Sequence, residues 1–455
     1  MTHPGRRWRG AATLALAVSA VPAAHAVPAF ARQTGSECAA CHIGGYGPHL
    51  TPYGIRFKLG GYTDSDGKDG KVPLSGLVQL SRIKPALGKA TERVAEADVY
   101  VAGKLFTDVG AFVKVRDNAD TISSNYTALD AMDVRFARES AVGSRKLTWG
   151  VSVNNHPGVT DPIDALPAWG FGAAGPGRDP ITATPTGSLL NNWQGGLAHR
   201  VVGATGYAIL DNHWYGELGT YRSLSLGDQH KLGQPTMLPG KDYGDPGKLG
   251  GNVYWRLAWM HDAKTQFFSA GLIGLQAKLQ AGSARSGPED KYSDVGVDAM
   301  YEYLGNRDHI LQLRASYIRE KRDYGTTPPH PFFIPGIVSL PTGTIRETAL
   351  SATYFYKNTW GIFAGRSFLK GSSDPARFSA PPFYGKPDTN FTYISPMWTV
   401  WGREEAPGPF GSNLRLSLAW IRFDKFNGSS TASFGPGSPN AHDLDSFWIN
   451  AQLAF

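Results

Sequence analysis

The chain has 455 residues, with 45 basic against 38 acidic side chains and a formal charge of +7, part of it in Arg6, Arg7 and Arg9 near the start. That modest balance gives no case for nucleic-acid binding, and two cysteines are too few for a disulfide scaffold or a cysteine-built zinc site. Beyond residue 26 no apolar run is long enough for a membrane helix, while 55 Gly, 31 Pro, 19 Tyr, 22 Phe and 12 Trp point away from an ordinary soluble globule.

Residues 1–26 read as an export signal: the three arginines, an apolar run over Gly10 to Val21, and Ala24-His25-Ala26 as a small-residue cleavage site. The expected mature chain starts near Val27. The paired arginines read as ordinary n-region charge. In an exported chain, many aromatics with a mean hydropathy of −0.27 fit a barrel whose lipid-facing residues alternate with polar lumen residues.

Both cysteines lie in Cys38-Ala39-Ala40-Cys41-His42, the pattern of covalent haem attachment. Two thiols at this spacing can each take one haem vinyl group, and the adjacent imidazole meets the iron. His/His or His/Met ligation would give an electron carrier, whereas an open sixth position would give a ligand-binding or peroxidase-like haem. Residues 27–73 are expected to form a small haem-bearing unit and its linker. A unit of this size needs a staple, here the haem and docking inside a larger body. The connector Asp64 to Lys71 has Asp64, Asp66 and Asp69, but Lys68 stands at a ligand position of a calcium loop, so it reads as a solvated linker.

From Leu74 to residue 455 the pattern is period-2 alternation. Leu311, Leu313, Ala315 and Tyr317 share one face and Gln312, Arg314 and Ser316 the other. Phe447, Ile449, Ala451, Leu453 and Phe455 line one face of an aromatic C-terminal strand. About 16 strands are expected, starting near Leu74, Ala97, Gly110, Asp130, Lys146, Gly195, His213, Asn252, Thr265, Tyr292, His309, Ile345, Trp360, Phe391, Leu414 and Ser446. Short turns alternate with long loops, and Gly402 to Ser412 is longer than its short-turn assignment suggests. The predicted fold is all-β: an outer-membrane antiparallel barrel carrying a small N-terminal c-type cytochrome plug on the periplasmic side.

Phe30 to Gly35, the haem motif, Pro48 to Gly54 and Arg56 to Thr63 resemble the fused cytochrome–porin family, whose best-known members are outer-membrane iron oxidases. The resemblance is dense over 27–63 and rests on architecture elsewhere; Gly54-Ile55-Arg56 departs locally from the family pattern. It implies one covalent haem c and electron flow from an extracellular donor, with iron(II) the sharper candidate, to a periplasmic c-type cytochrome. On that reading the enzymatic activity would be that of an iron(II):cytochrome c oxidoreductase.

Cys38, Cys41 and His42 are the expected haem contacts, with His42 on the iron. For the distal ligand, His49 competes with Met132, Met260, Met300 or Met397 of the barrel and with an open site; an extended span from His42 to His49 reaches roughly 23 Å. Arg32, Arg56 and Lys58 are candidates for the haem propionates, or for wall carboxylates. Phe30, Tyr46, Tyr53, Phe57 and Tyr62 are expected to pack around the haem. His156, His199, His213, His261 and His309 lie in or beside strands, with no metal-ligand spacing among them. A second class of function is a porin for small anions, with the haem unit as a structural or redox-gating plug.

Overall fold

A computed structural model describes residues 28–68, 71–118, 126–163, 173–174, 179–180, 187–191, 197–234, 247–280, 285–325, 340–375, 385–403, 412–433 and 437–455. The expected signal segment 1–26 lies outside them, as does Asp69.

The alternating segments form β1 (Leu74–Pro85), β2 (Thr91–Phe106), β3 (Val109–Asn118), β4 (Tyr126–Val142), β5 (Arg145–Asn154), β6 (Val201–Leu210), β7 (Trp214–Ser223) and β8 (Lys248–Asp262). They continue as β9 (Gln266–Gln280), β10 (Asp290–Tyr303), β11 (His309–Asp323), β12 (Thr342–Tyr356), β13 (Trp360–Gly371), β14 (Thr389–Thr399), β15 (Asn413–Lys425) and β16 (Ser446–Ala454). Each pairs antiparallel with its sequence neighbour, and β1 pairs with β16 from Leu77↔Ala454 to Pro85↔Ser446, closing one barrel. Closure leaves no strand edge to satisfy. On the inner side of the seam, Ser81 Oγ donates to Asn450 Oδ1 (2.7 Å) and Gln452 Nε2 to Gln79 Oε1 (2.7 Å).

The alternation has the expected sense. Leu313, Tyr317, Leu418, Ile449 and Leu453 are exposed on the outer wall, as are Trp149, Leu218, Val253, Leu257, Leu272 and Val295 from other strands. Gln312, Glu320, Ser417 and Asn450 are buried inside. A continuous apolar exterior around a polar interior belongs to a barrel whose solvent is lipid. Near the short-turn end the exterior carries Trp214, Trp259, Tyr354, Tyr356, Trp360 and Trp398, with Trp360 and Trp398 stacked at 5.1 Å. This is the aromatic girdle of a membrane interface.

The three-residue connections between β6 and β7 and between β12 and β13 have left-handed backbone at Asp211, Asn212, Lys357 and Asn358 (φ 53°, 57°, 53° and 50°), the conformation that Asn and Asp tolerate best among non-glycine residues. Two starts differ most from expectation. β2 begins at Thr91 rather than near Ala97, because Ile83 of β1 extends the ladder to Thr91. β6 begins at Val201 rather than near Gly195, because Leu197–His199 form a 3-10 turn that Arg200 N–H closes on Leu197 O.

The N-terminal unit contains α1 (Pro28–Thr34), α2 (Cys38–Cys41) and α3 (Pro52–Leu59). Proline at the first position of α3, with the Thr51 hydroxyl accepting from Gly54 N–H, starts that helix. The unit sits inside the short-turn mouth of the barrel. Ile43 packs with Ile310, Phe355 and Met397; Ile55 and Leu59 pack with Tyr207, Tyr215, Met260 and Met300. Polar ties add to this: Tyr62 Oη donates to Asp133 Oδ2 (2.7 Å) and Tyr207 Oη to Leu59 O (2.6 Å). The long turn after β14 also has a role, since Gly402 lies against Gly45 of this unit.

From the opposite mouth, the segment after β5 also enters the lumen. Arg256 of β8 pairs with Asp161, and Arg135 of β4 donates to Thr160 O (2.8 Å). Further along it, the Ser188, Leu189 and Leu190 N–H groups donate to Glu347, Glu320 and Asp294 of the wall. Lys58 Nζ donates to Asp161 O (2.7 Å), so the two inserts touch.

Candidate haem site inside the barrel

α2 is a single helical turn, which puts the Cys38 and Cys41 side chains on one face. Neither thiol is in a disulfide, and both are partly exposed. Burial, with smaller contributions from Cys38 and Asp64, pushes the Cys41 thiol up to about 12, so it stays protonated at neutral pH.

His42 ends this turn, and its N–H donates to Cys38 O at 2.9 Å. Its Nδ1 lies 3.3 Å from His49 O. A carbonyl only accepts, so Nδ1 carries the proton and Nε2 keeps its lone pair. Burial chiefly, helped by the charge of Arg415 and opposed by the His49 hydrogen bond, lowers the His42 imidazole to about 4. It is therefore neutral at physiological pH, the form that binds a metal.

Residues 43–49 fold back as a tight loop. Ile43 N–H donates to His49 O (3.0 Å), Thr51 N–H to Cys41 O (2.9 Å), and His42 bridges Leu50. The His49 backbone thus stands behind the His42 ring, on the side away from Nε2. His49 is buried in this folded loop, whereas the expected reach from His42 assumes an extended segment.

Arg32 and Arg56 are not gathered at the motif. The Arg32 guanidinium donates to Leu74 O and Val72 O, where β1 begins. Arg56 pairs with Asp262 of β8 at 2.7 Å, both partly exposed. Lys58 binds the inserted loop. Arg32 and Arg56 fasten the unit to the barrel and Lys58 ties it to the inserted segment, as the wall-carboxylate alternative for Arg56 anticipates.

Among the expected aromatics, Phe30, Phe57 and Tyr62 pack together (4.9 and 5.3 Å from Phe30). Tyr46 lies under Arg415, and Tyr53 donates to Asp64 (2.9 Å). Met260, Met300 and Met397 are buried, and Met397 shares a cluster with Ile43, the residue after His42. In the connector, Asp66 pairs with Lys71, consistent with a linker. Among the described residues no three metal-binding side chains cluster.

The residues absent from the sequence-based set are on the wall. Asn413 Nδ2 donates to Gly45 O, and Arg415 reaches the carbonyls of Gly44, Tyr46 and Gly47 at 3.3–3.5 Å. The alternation of Leu414, Arg415 and Leu416 already puts Arg415 on the inner face; nothing local to it names a partner some 370 positions away.

The donor set fits a covalently held haem. Two thiols outside any disulfide share one helical face, and the neighbouring imidazole has its second nitrogen fixed. The Tyr46 hydroxyl, buried without a hydrogen-bond partner, is an orphaned donor in the same loop.

Fold and exterior define the class: a sixteen-stranded membrane barrel of the outer-membrane type that holds its own N-terminal unit in its lumen. No protein-family model matches the chain, and no curated protein does. Among solved structures it is similar to the outer-membrane channel DcaP of Acinetobacter baumannii (11% identity, 85% of this chain and 97% of that one, TM-score 0.48). It is also similar to OmpT of Vibrio cholerae (12%, 86% and 99%, 0.41) and to an anion-selective porin from Comamonas acidovorans (11%, 84% and 98%, 0.42). At such values the likeness carries nothing about activity, and the sixteen-strand closure rests on the chain's own pairing.

Proposed function

We propose that the chain is an outer-membrane electron conduit. One haem c, held by Cys38 and Cys41 and ligated by His42, would link an extracellular donor to a periplasmic c-type cytochrome at the short-turn mouth. The observation that carries this reading is the His42 imidazole, with Nδ1–H spent on the His49 carbonyl and Nε2 left for iron, beside two thiols on one turn. Bound haem supplies a one-electron centre, so no acid–base residue is needed. The chain's part is to hold that centre in the mouth, keep the imidazole neutral and exclude bulk solvent with Ile43, Phe355 and their neighbours.

The test is reconstitution in liposomes with an acceptor sealed on the plug side and a donor on the loop side. Haem-dependent transfer is expected; its absence removes the conduit reading. Iron(II) is the proposed donor, and a haem that stays ferric on rapid mixing with ferrous iron at acid and neutral pH rules that donor out.

A porin for small anions is the second reading, and one feature favours it. Ser316↔Ala349↔Ser367 and Arg314↔Ser351↔Gly365 form two adjacent cross-strand rows on the inner faces of β11, β12 and β13. Their small side chains are partly or fully open to solvent, leaving a polar strip with a cation beside it. Planar-bilayer recordings separate the readings: large currents independent of haem favour the porin, and a blocked barrel the conduit.

A further inference from the structure

Arg415 is 1% exposed, yet no carboxylate pairs with it among the described residues. A buried guanidinium without a counter-charge is strongly unfavourable. Its surroundings offset this only with dipoles and ring faces. It shares the carbonyls of Gly44, Tyr46 and Gly47 at 3.3–3.5 Å and the Thr399 hydroxyl at 3.3 Å, all long for single hydrogen bonds. Its carbon lies 4.6 Å from the Tyr46 ring centre and 5.5 Å from that of Phe355. Every other buried wall arginine that reaches these inserts has a carboxylate: Arg135 has Asp133, Arg256 has Asp161 and Asp298, and Arg322 has Glu320.

Tyr46 supplies an independent sign. Its hydroxyl is shut away from water with no acceptor, an unfavourable state for such a group. A buried cation lacking an anion and a buried O–H lacking an acceptor therefore meet on the loop that carries the proximal histidine. One ligand chemistry answers both, a carboxylate.

We propose that Arg415 and Tyr46 form the receptor for a propionate carboxylate of the haem, the role that sequence spacing gave to Arg32 and Arg56. The inference rests on the haem reading above. It makes Arg415 a cofactor-binding residue contributed by the barrel rather than by the haem unit. It also ties the haem's electrostatics to the seating of that unit. Removing the guanidinium leaves the propionate charge uncompensated; a bare anion near iron favours the ferric state, so the midpoint potential falls.

The test compares parent, R415Q, R415K and Y46F proteins in detergent, with covalent haem verified by the pyridine haemochrome spectrum. Midpoint potential and hydrogen exchange over residues 43–50 are measured on each. The expected result is a lower potential in R415Q, a smaller drop in Y46F, and near-parental potential in R415K, which keeps the charge. Haem bound with unchanged potential in R415Q overturns the proposal. If exchange rises while the potential stays, Arg415 is only a clamp on the loop, which overturns it equally. A parent protein with no haemochrome spectrum sinks the haem reading itself, and the receptor with it.

Discussion

Gly110 of β3 decides whether the N-terminal unit can seat. A Cβ there would lie 2.2 Å from Gly61 O, 2.9 Å from the Tyr62 Cβ and 3.1 Å from Gly103 O. Carbon–oxygen contacts settle near about 3.3 Å, so G110A displaces this corner of the unit by about 1 Å. That shift takes the Tyr62 hydroxyl from 2.7 Å to beyond hydrogen-bond range of Asp133. Losing a hydrogen bond to a charged group costs about 1.5–3 kcal/mol, which is about a ten- to hundredfold weakening of docking. Hydrogen exchange over residues 52–62, with the protein in lipid, reads this directly. G206A is the control, since a Cβ there meets nothing within 4 Å. If G110A protects residues 52–62 as well as the parent while the barrel stays folded, the seating described here is wrong.

C38A/C41A should lose all covalent haem, seen as absence of haem staining on a denaturing gel, while the heat-modifiable migration of the barrel persists. Glu347→Ala removes the acceptor of the Ser188 N–H and the Asn191 amide; segment 187–191 should exchange faster and any channel conductance should rise. Ser351→Trp fills the small-residue strip and should abolish most of the conductance if solute passes there. Unchanged currents would remove that path.

The barrel was legible because its signal is local. Alternation in residues 311–317 and 447–455 set both the strands and their outward faces, and short turns such as Asp211-Asn212 set the hairpins. The side on which the unit sits followed from the parity of the turns. What sequence could not supply were contacts between segments far apart. Arg56 meets Asp262 and Tyr62 meets Asp133 through tertiary seating, which leaves no periodic trace. The inserted loop was hidden for the same reason: Ser188-Leu189-Leu190-Asn191 resembles a surface tip, yet Leu190 is fully buried against Tyr254, Ile273 and Leu275. The loop around His49 was hidden differently: chain reach assumes an extended segment, and the backbone turns back on His42.

The seam between β1 and β16 joins positions some 370 residues apart. The cylinder cannot shut until β16 has zipped onto β1, and once shut it surrounds the segment bearing Cys38 and Cys41. On the proposed haem reading, the porphyrin would have to be joined to its thiols earlier, on an open chain still within reach of the maturation machinery. That reading orders biogenesis in time, with metal chemistry first and lipid insertion afterwards. A barrel that closed too soon would entomb an empty motif.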